Sequence, residues 1–195
     1  MKRAPLLEQQ LSFGAAPADA SLAAVDAVRL RRVVERHFDA LWRFLRRLGI
    51  SEGDVDDAVQ EVILVVARRL DDIEEPSERS FVFSTAFRVA SDMRRRAARR
   101  REVGDAILEG LHSEALDPEA AVETQRLATL LAQVLEQLSL ELRVVFVLYE
   151  LEDFTMAEIA ATLSVPPGTV ASRLRRGRET FERLAAKSLG QESEP

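Results

Sequence analysis

Cysteine is absent from this 195-residue chain, which excludes disulfides, thiolate zinc sites and a cysteine nucleophile. Histidine is nearly absent: His37 and His112 lie far apart and have no carboxylates around them at ligand spacing, so no metal site is expected. Long apolar runs are missing too. The longest, "VILVVA" from Val62, is far short of the roughly 20 residues that cross a bilayer. The opening "MKRAPLLEQQ" carries charge with no apolar stretch behind it, unlike a signal peptide. Nucleotide and hydrolase motifs (P-loop, G-x-G-x-x-G, G-x-S-x-G) do not occur, and the adjacent acids have no histidine or cysteine partner. These absences predict a soluble cytoplasmic protein with no metal, no cofactor and no catalytic activity.

The chain has enough apolar material to fold, at 47% of residues, and its length suits one domain or two small ones. Its formal net charge of -6 conceals a segregation. "RVASDMRRRAARRR", residues 88–101, carries seven arginines against Asp92 alone, whereas residues 102–123 carry seven acids and no Lys or Arg. Two basic helices therefore flank an acidic connector.

Periodicity predicts helices throughout and no strands. Residues 1 to about 24, containing "GAAPADASLAA", read as an arm. Val33, Val34, Phe38, Leu41, Trp42, Leu45 and Leu48 form the buried stripe of a helix from Val25 to about Arg47, closed by Gly49. Ser51 caps the next helix, with Asp54 three residues on, and Val55, Ala58, Val59, Val62, Ile63, Val66 and Leu70 face inward. Pro76 interrupts "DDIEEPSERS" as a loop. A third helix, about 81–100, buries Val82, Phe83, Ala86, Val89, Ala90, Met93 and Ala97. After the connector, Asp117 and Pro118 open a helix to about Gln137, and another runs through "LRVVFVLYEL". Leu127, Leu130, Leu131, Val134, Leu135 and Leu138, with the run Val144 to Leu148, make the core of the second half.

The sharpest local pattern follows. Thr155 and Glu158 in "TMAEIAATLS" form a capping box, "VPPG" ends that helix, and "TVASRLRRGRETF" begins another at once. This is helix, tight turn, helix. Val170, Leu174, Gly177 and Phe181 recur at i, i+4, i+7 and i+11 as a buried stripe, so at about 100° per residue Ser172, Arg175, Arg176 and Glu179 point outward. An arginine so placed can bind a guanine edge bidentately in the major groove; the ordinary alternative is a solvated charged helix. On the earlier basic helix, Arg88, Ser91, Asp92, Arg95, Arg96 and Arg99 lie off the core stripe and suit a phosphate track. On the acidic helix, Asp57, Gln60, Glu61 and Leu64 share the face opposite the core, three acceptors beside one apolar residue, which suits a basic protein partner.

"DVDDAVQEVILVV" with "FRVASDMRRRAARR", followed by "LEQLSLELRVVFVLYELEDFTMAEIAATLSVPPGTVASRLRRGRETF", resembles the two characteristic regions of extracytoplasmic-function (ECF) sigma factors of bacterial RNA polymerase, in order and spacing. The resemblance covers most of residues 28–185. It implies an all-α chain of two small helical domains: a region 2 bundle over 25–101 and a region 4 helix-turn-helix domain over 118–190, joined by the acidic linker 102–117, with a tail at 191–195. It implies core RNA polymerase and promoter DNA as partners, admits an anti-sigma factor, and carries no chemistry. By the same resemblance Ser172, Arg175 and Arg176 face bases of the upstream (minus-35) element, while Thr169 and Arg173 are placed for phosphates. The first basic helix and the loop before it meet the downstream (minus-10) element, where an unpaired base is captured. The Asp57, Gln60, Glu61 and Leu64 face docks on the polymerase clamp helices. The sequence departs from the family pattern at Phe81 (commonly tryptophan), Thr85 (aliphatic), Ala171 (basic) and Gly177 (alanine).

The alternative from another class is a free-standing helix-turn-helix regulator that acts without polymerase. Such a regulator reads a pseudo-palindrome as a dimer, whereas two unlike basic helices point to unlike elements and a free monomer. A helical adaptor leaves the arginines unexplained.

Overall fold

The computed structural model describes residues 20–102 and 118–191, with the side chains of 26–99 and 126–189. Most of the expected arm, the connector from residue 103 with the Asp117 cap, and residues 192–195 lie outside the described residues. Among the described residues, helices form seven α elements: α1 Ala20–Arg47, α2 Glu52–Arg68, α3 Glu78–Glu102, α4 Pro118–Glu136, α5 Leu140–Glu150, α6 Met156–Leu163 and α7 Pro167–Gln191. There is no strand among the described residues, which are all-α. None of these helices is long and apolar enough to cross a membrane.

In the N-terminal half, α1, α2 and α3 pack on one another. Helix α1 starts five residues before Val25, through "ASLAA", whose Ala and Leu residues are strong helix formers. It ends where Gly49 takes φ +89° and Ile50 N–H bonds back to Leu45 O at 3.2 Å. That left-handed φ favours glycine, and an added Cβ would overlap Arg94 Nη1 and lie 2.9 Å from Arg143 Nη1, so both guanidinium tips would have to shift. Ser51 caps α2, its Oγ accepting from Asp54 N–H and donating to Asp54 Oδ2. The expected core stripes are buried, with Phe38, Trp42, Ile63 and Met93 half-buried at their edges. Ala97 is a correction: it is exposed, because α3 runs past the end of the bundle.

"DDIEEPSERS" also differs from a plain loop. It holds two short 3-10 turns, Leu70–Asp72 and Glu75–Ser77, and its last residues already form the first turn of α3. Within it Ile73 and Glu78 are buried.

In the C-terminal half, α7 packs on α4, α5 and α6. Leu127, expected in the core, is instead exposed at 53%, while Leu130 and Leu131 are half-buried and Val134, Leu135 and Leu138 are buried. The two halves touch. Phe83 of α3 packs edge-on against Phe44 of α1 and against Phe154 before α6, each with ring centroids 5.0 Å apart. Arg79 lies 3.9 Å over the Phe154 ring and donates to Glu152 O. Arg143 of α5, 1% exposed, donates to Leu48 O at 3.2 Å and to Glu136 O at 2.6 Å. Burial and the neighbouring Arg94 pull its pKa down to about 10.

Candidate nucleic-acid interface

The helix-turn-helix is built from a local hydrogen-bond code. Thr155 Oγ1 accepts from Glu158 N–H at 3.2 Å while the Glu158 carboxylate accepts from Thr155 N–H at 2.7 Å, and this pair fixes the start of α6. Those bonds favour the charged Glu158 carboxylate and lower its pKa. The stop is not the expected Pro-Pro-Gly stretch. Ser164 adopts the left-handed conformation with φ 53°, and Val165 N–H returns to Ala160 O at 3.1 Å. Pro167 and Gly168 instead lie in the first turn of α7, where a missing N–H costs nothing, so α7 starts two residues before Thr169.

Helix α7 is held by its inner face. Val170, Leu174, Gly177 and Leu184 are buried, and Phe181 stacks on Phe146 with centroids 4.7 Å apart. Ser172, Arg175 and Arg176 are exposed on the other side. Arg176 makes no ion pair among the described residues, whereas Arg175 reaches Glu179 at 2.8 Å. The Ser172 hydroxyl donates to Thr169 O at 3.0 Å, so its lone pairs remain available as acceptors. Arg173 is half-buried and bound to Glu141 of α5 at 2.9 Å; any phosphate contact there exchanges one anion for another. Thr169 is half-buried at the start of the helix.

On α3, Arg88, Asp92, Arg95, Arg96 and Arg99 are exposed and Ser91 half-buried. Arg95 pairs with Asp92 at 3.1 Å, and the Ser91 hydroxyl donates to Phe87 O at 2.7 Å. Arg94, from the same arginine run, turns inward and donates to Leu48 O at 2.9 Å. Both basic faces thus stand outward from apolar inner faces, in the register the periodicity predicts.

On α2, Asp57, Glu61 and Leu64 are exposed, Leu64 at 45%, and Gln60 is half-buried. An exposed leucine of that size beside two carboxylates is a face without a partner within the described chain.

Several polar residues escaped sequence reasoning. Arg29 of α1 donates from Nη1 to Leu70 O at 2.8 Å and from Nη2 to Ile73 O. His37 Nε2 lies 3.2 Å from Glu78 Oε1, and Arg36 Nη1 donates to the same oxygen at 3.4 Å. Burial lowers the His37 pKa against the opposing pull of Glu78. Arg143 alone left a trace in the sequence, as a charge inside an apolar run.

Family models match in two blocks, "Sigma-70 region 2" over residues 33–100 and "Sigma-70, region 4" over residues 128–181. Among curated proteins, the chain is 32% identical over 171 residues to the ECF RNA polymerase sigma factor SigL of Mycobacterium tuberculosis, covering 86% of this chain and 94% of SigL. It is 31% identical over 156 residues to the ECF RNA polymerase sigma factor SigE of Mycolicibacterium smegmatis, covering 80% of this chain but 61% of that relative's length. Among solved structures, the sigma factor RpoE of Bartonella quintana, bound to the anti-sigma factor NepR, shares the fold with a TM-score of 0.66 at 20% identity, over 79% of this chain and 94% of RpoE.

Proposed function

The chain belongs to the extracytoplasmic-function family of RNA polymerase sigma factors, and we propose that it binds core RNA polymerase and directs initiation at promoters read through a minus-10 and a minus-35 element. The observation that carries this reading is two outward arginine faces on different helices, α3 and α7, one within each matched region. Unlike faces suit unlike elements of one promoter, whereas a dimeric regulator repeats a single helix on two half-sites.

In this reading Ser172, Arg175 and Arg176 take base edges of the upstream element, with Thr169 and Arg173 on its phosphates. Arg88, Ser91, Asp92, Arg95, Arg96 and Arg99, with the segment before α3, take the downstream element. Asp57, Gln60, Glu61 and Leu64 take the polymerase. Residues 25–101 and 118–190 act as the two domains, and a linker of about 16 residues reaches roughly 50 Å when extended, more than one turn of DNA. The chain works in the cytoplasm, as a monomer when free, and supplies binding rather than chemistry. An anti-sigma factor is a further partner, by analogy with RpoE and NepR.

Run-off transcription with purified core polymerase on genomic fragments tests the proposal. Initiation at defined start sites that depends on added protein is the expected result; sequence-specific DNA binding without any dependent initiation replaces it with the free-standing regulator.

A further inference from the structure

The span between α2 and α3 is fixed at both ends by one helix, α1. At its start, Arg29 forks onto the carbonyls of Leu70 and Ile73, the residues that close the first 3-10 turn, where Ile73 N–H also bonds to Leu70 O at 3.2 Å. At its end, Glu78 is 6% exposed and shared by His37 and Arg36. Between these anchors Ile73 is pinned in the core, and Glu74, Glu75, Pro76 and Ser77 stand in solvent. The exposed span is therefore short and held in one shape before anything binds to it.

We propose that Arg29 is a positioning residue for promoter selectivity: its guanidinium fork presets the 70–77 backbone that receives the unpaired base of the downstream element. This rests on the reading above, in which that segment meets the downstream element. A segment with acids at Asp71, Asp72, Glu74 and Glu75 repels phosphates, so it discriminates bases through backbone and hydroxyl groups, and such contacts work only from a fixed frame. Presetting the frame also removes the ordering cost from the binding step. A planar guanidinium holds two carbonyls in one fixed fork, whereas an ammonium on a flexible stem carries donors that rotate and fixes no such geometry.

The test is transcription by core polymerase with Arg29→Lys and Arg29→Met on a promoter library randomised across both elements, beside a variant with Glu75→Gly and Pro76→Gly that relaxes the exposed turn. Arg29→Lys keeps the charge, which separates positioning from phosphate attraction, and it carries the result if Arg29→Met fails to fold. Both Arg29 variants should lose at least about fivefold in base discrimination, the lower end of the cost of one mismatched pair, at downstream positions alone. Upstream preferences and core affinity should stay as in the parent. If the relaxed turn loses downstream discrimination and the Arg29 variants keep it, Arg29 does not position the segment, although the segment reads the promoter. If no variant loses it, the segment does not read bases and the proposal falls with that reading. Equal losses at both elements also overturn it, because they mark a general loss of fold.

Discussion

The Arg47 guanidinium donates to the Glu152 carboxylate at 2.6 Å, joining the last turn of α1 to the turn that precedes the helix-turn-helix. Burial raises the Glu152 pKa and lowers that of Arg47, so for both partners the loss of water outweighs their mutual attraction. Removing one partner is then costly while removing both is not. Arg47→Ala, which leaves a carboxylate whose side chain is 4% exposed with only Arg43 and Arg79 nearby, should lower stability by about 3 kcal/mol. Replacing both Arg47 and Glu152 by Leu should recover most of that loss. Urea unfolding of the three proteins is the check, and a single variant as stable as the parent means the pair does not hold the halves together.

His37 makes stability depend on pH. Its folded pKa lies below the ordinary 6.5 because burial outweighs Glu78, and Arg36 and Arg79 add to the depression. A depressed folded pKa means the unfolded chain binds the proton more readily. The His37 contribution is complete above pH 6.5 and is lost as pH falls through the folded value. Melting between pH 7 and 5.5 should therefore drop more in the parent than in His37→Gln; parallel curves would contradict the assignment.

Two departures from the family pattern sit in the core as repairable defects. Gly177 is buried within α7, and an added Cβ meets Leu142 O at 3.5 Å and Phe146 Cβ at 3.7 Å, ordinary contact distances. Gly177→Ala should stabilise by about 0.5 to 1 kcal/mol. Thr85 is 4% exposed and its Oγ1 has no hydrogen-bond partner, so Thr85→Val should add about 1 kcal/mol. Calorimetric melting of each variant decides, and a lowered Tm for either rules out its stated mechanism.

Arg176 and Arg173 should separate base reading from phosphate attraction. Arg176→Ala should lose about 1 to 3 kcal/mol of discrimination at one upstream position with little change in melting. Arg173→Ala should weaken all sequences alike and reduce the salt slope by about one unit. Binding of upstream-element duplexes at several salt concentrations measures both. An unchanged positional preference in Arg176→Ala removes that residue from the base contacts.

The α2 face yields a charge-reversal test. Gln60→Arg with Glu61→Arg should weaken capture by core polymerase at least tenfold, about 1.4 kcal/mol, while the circular dichroism and Tm hold. Glu61 is exposed and Gln60 only half-buried, so neither change disturbs the stripe behind them. Undiminished core affinity in the folded variant would falsify the docking assignment.

What the sequence determined by itself is what neighbours along the chain can settle. The α7 stripe of Val170, Leu174 and Gly177, the outward register of Arg175 and Arg176, and the Thr155–Glu158 capping box all rest on spacings within a few turns, where backbone geometry leaves little choice. Tertiary structure alone decided which polar groups were buried and what met them. Glu78, one acid among several in its stretch, pairs with His37 across 41 residues; Arg29 reaches Leu70 across 41; Arg47 reaches Glu152 across 105. No local pattern distinguishes those arginines and acids from their solvated neighbours. Their partners are fixed by how α1, α3 and the turn before α6 pack, and an unpaired charge at those seams costs far more than one in water.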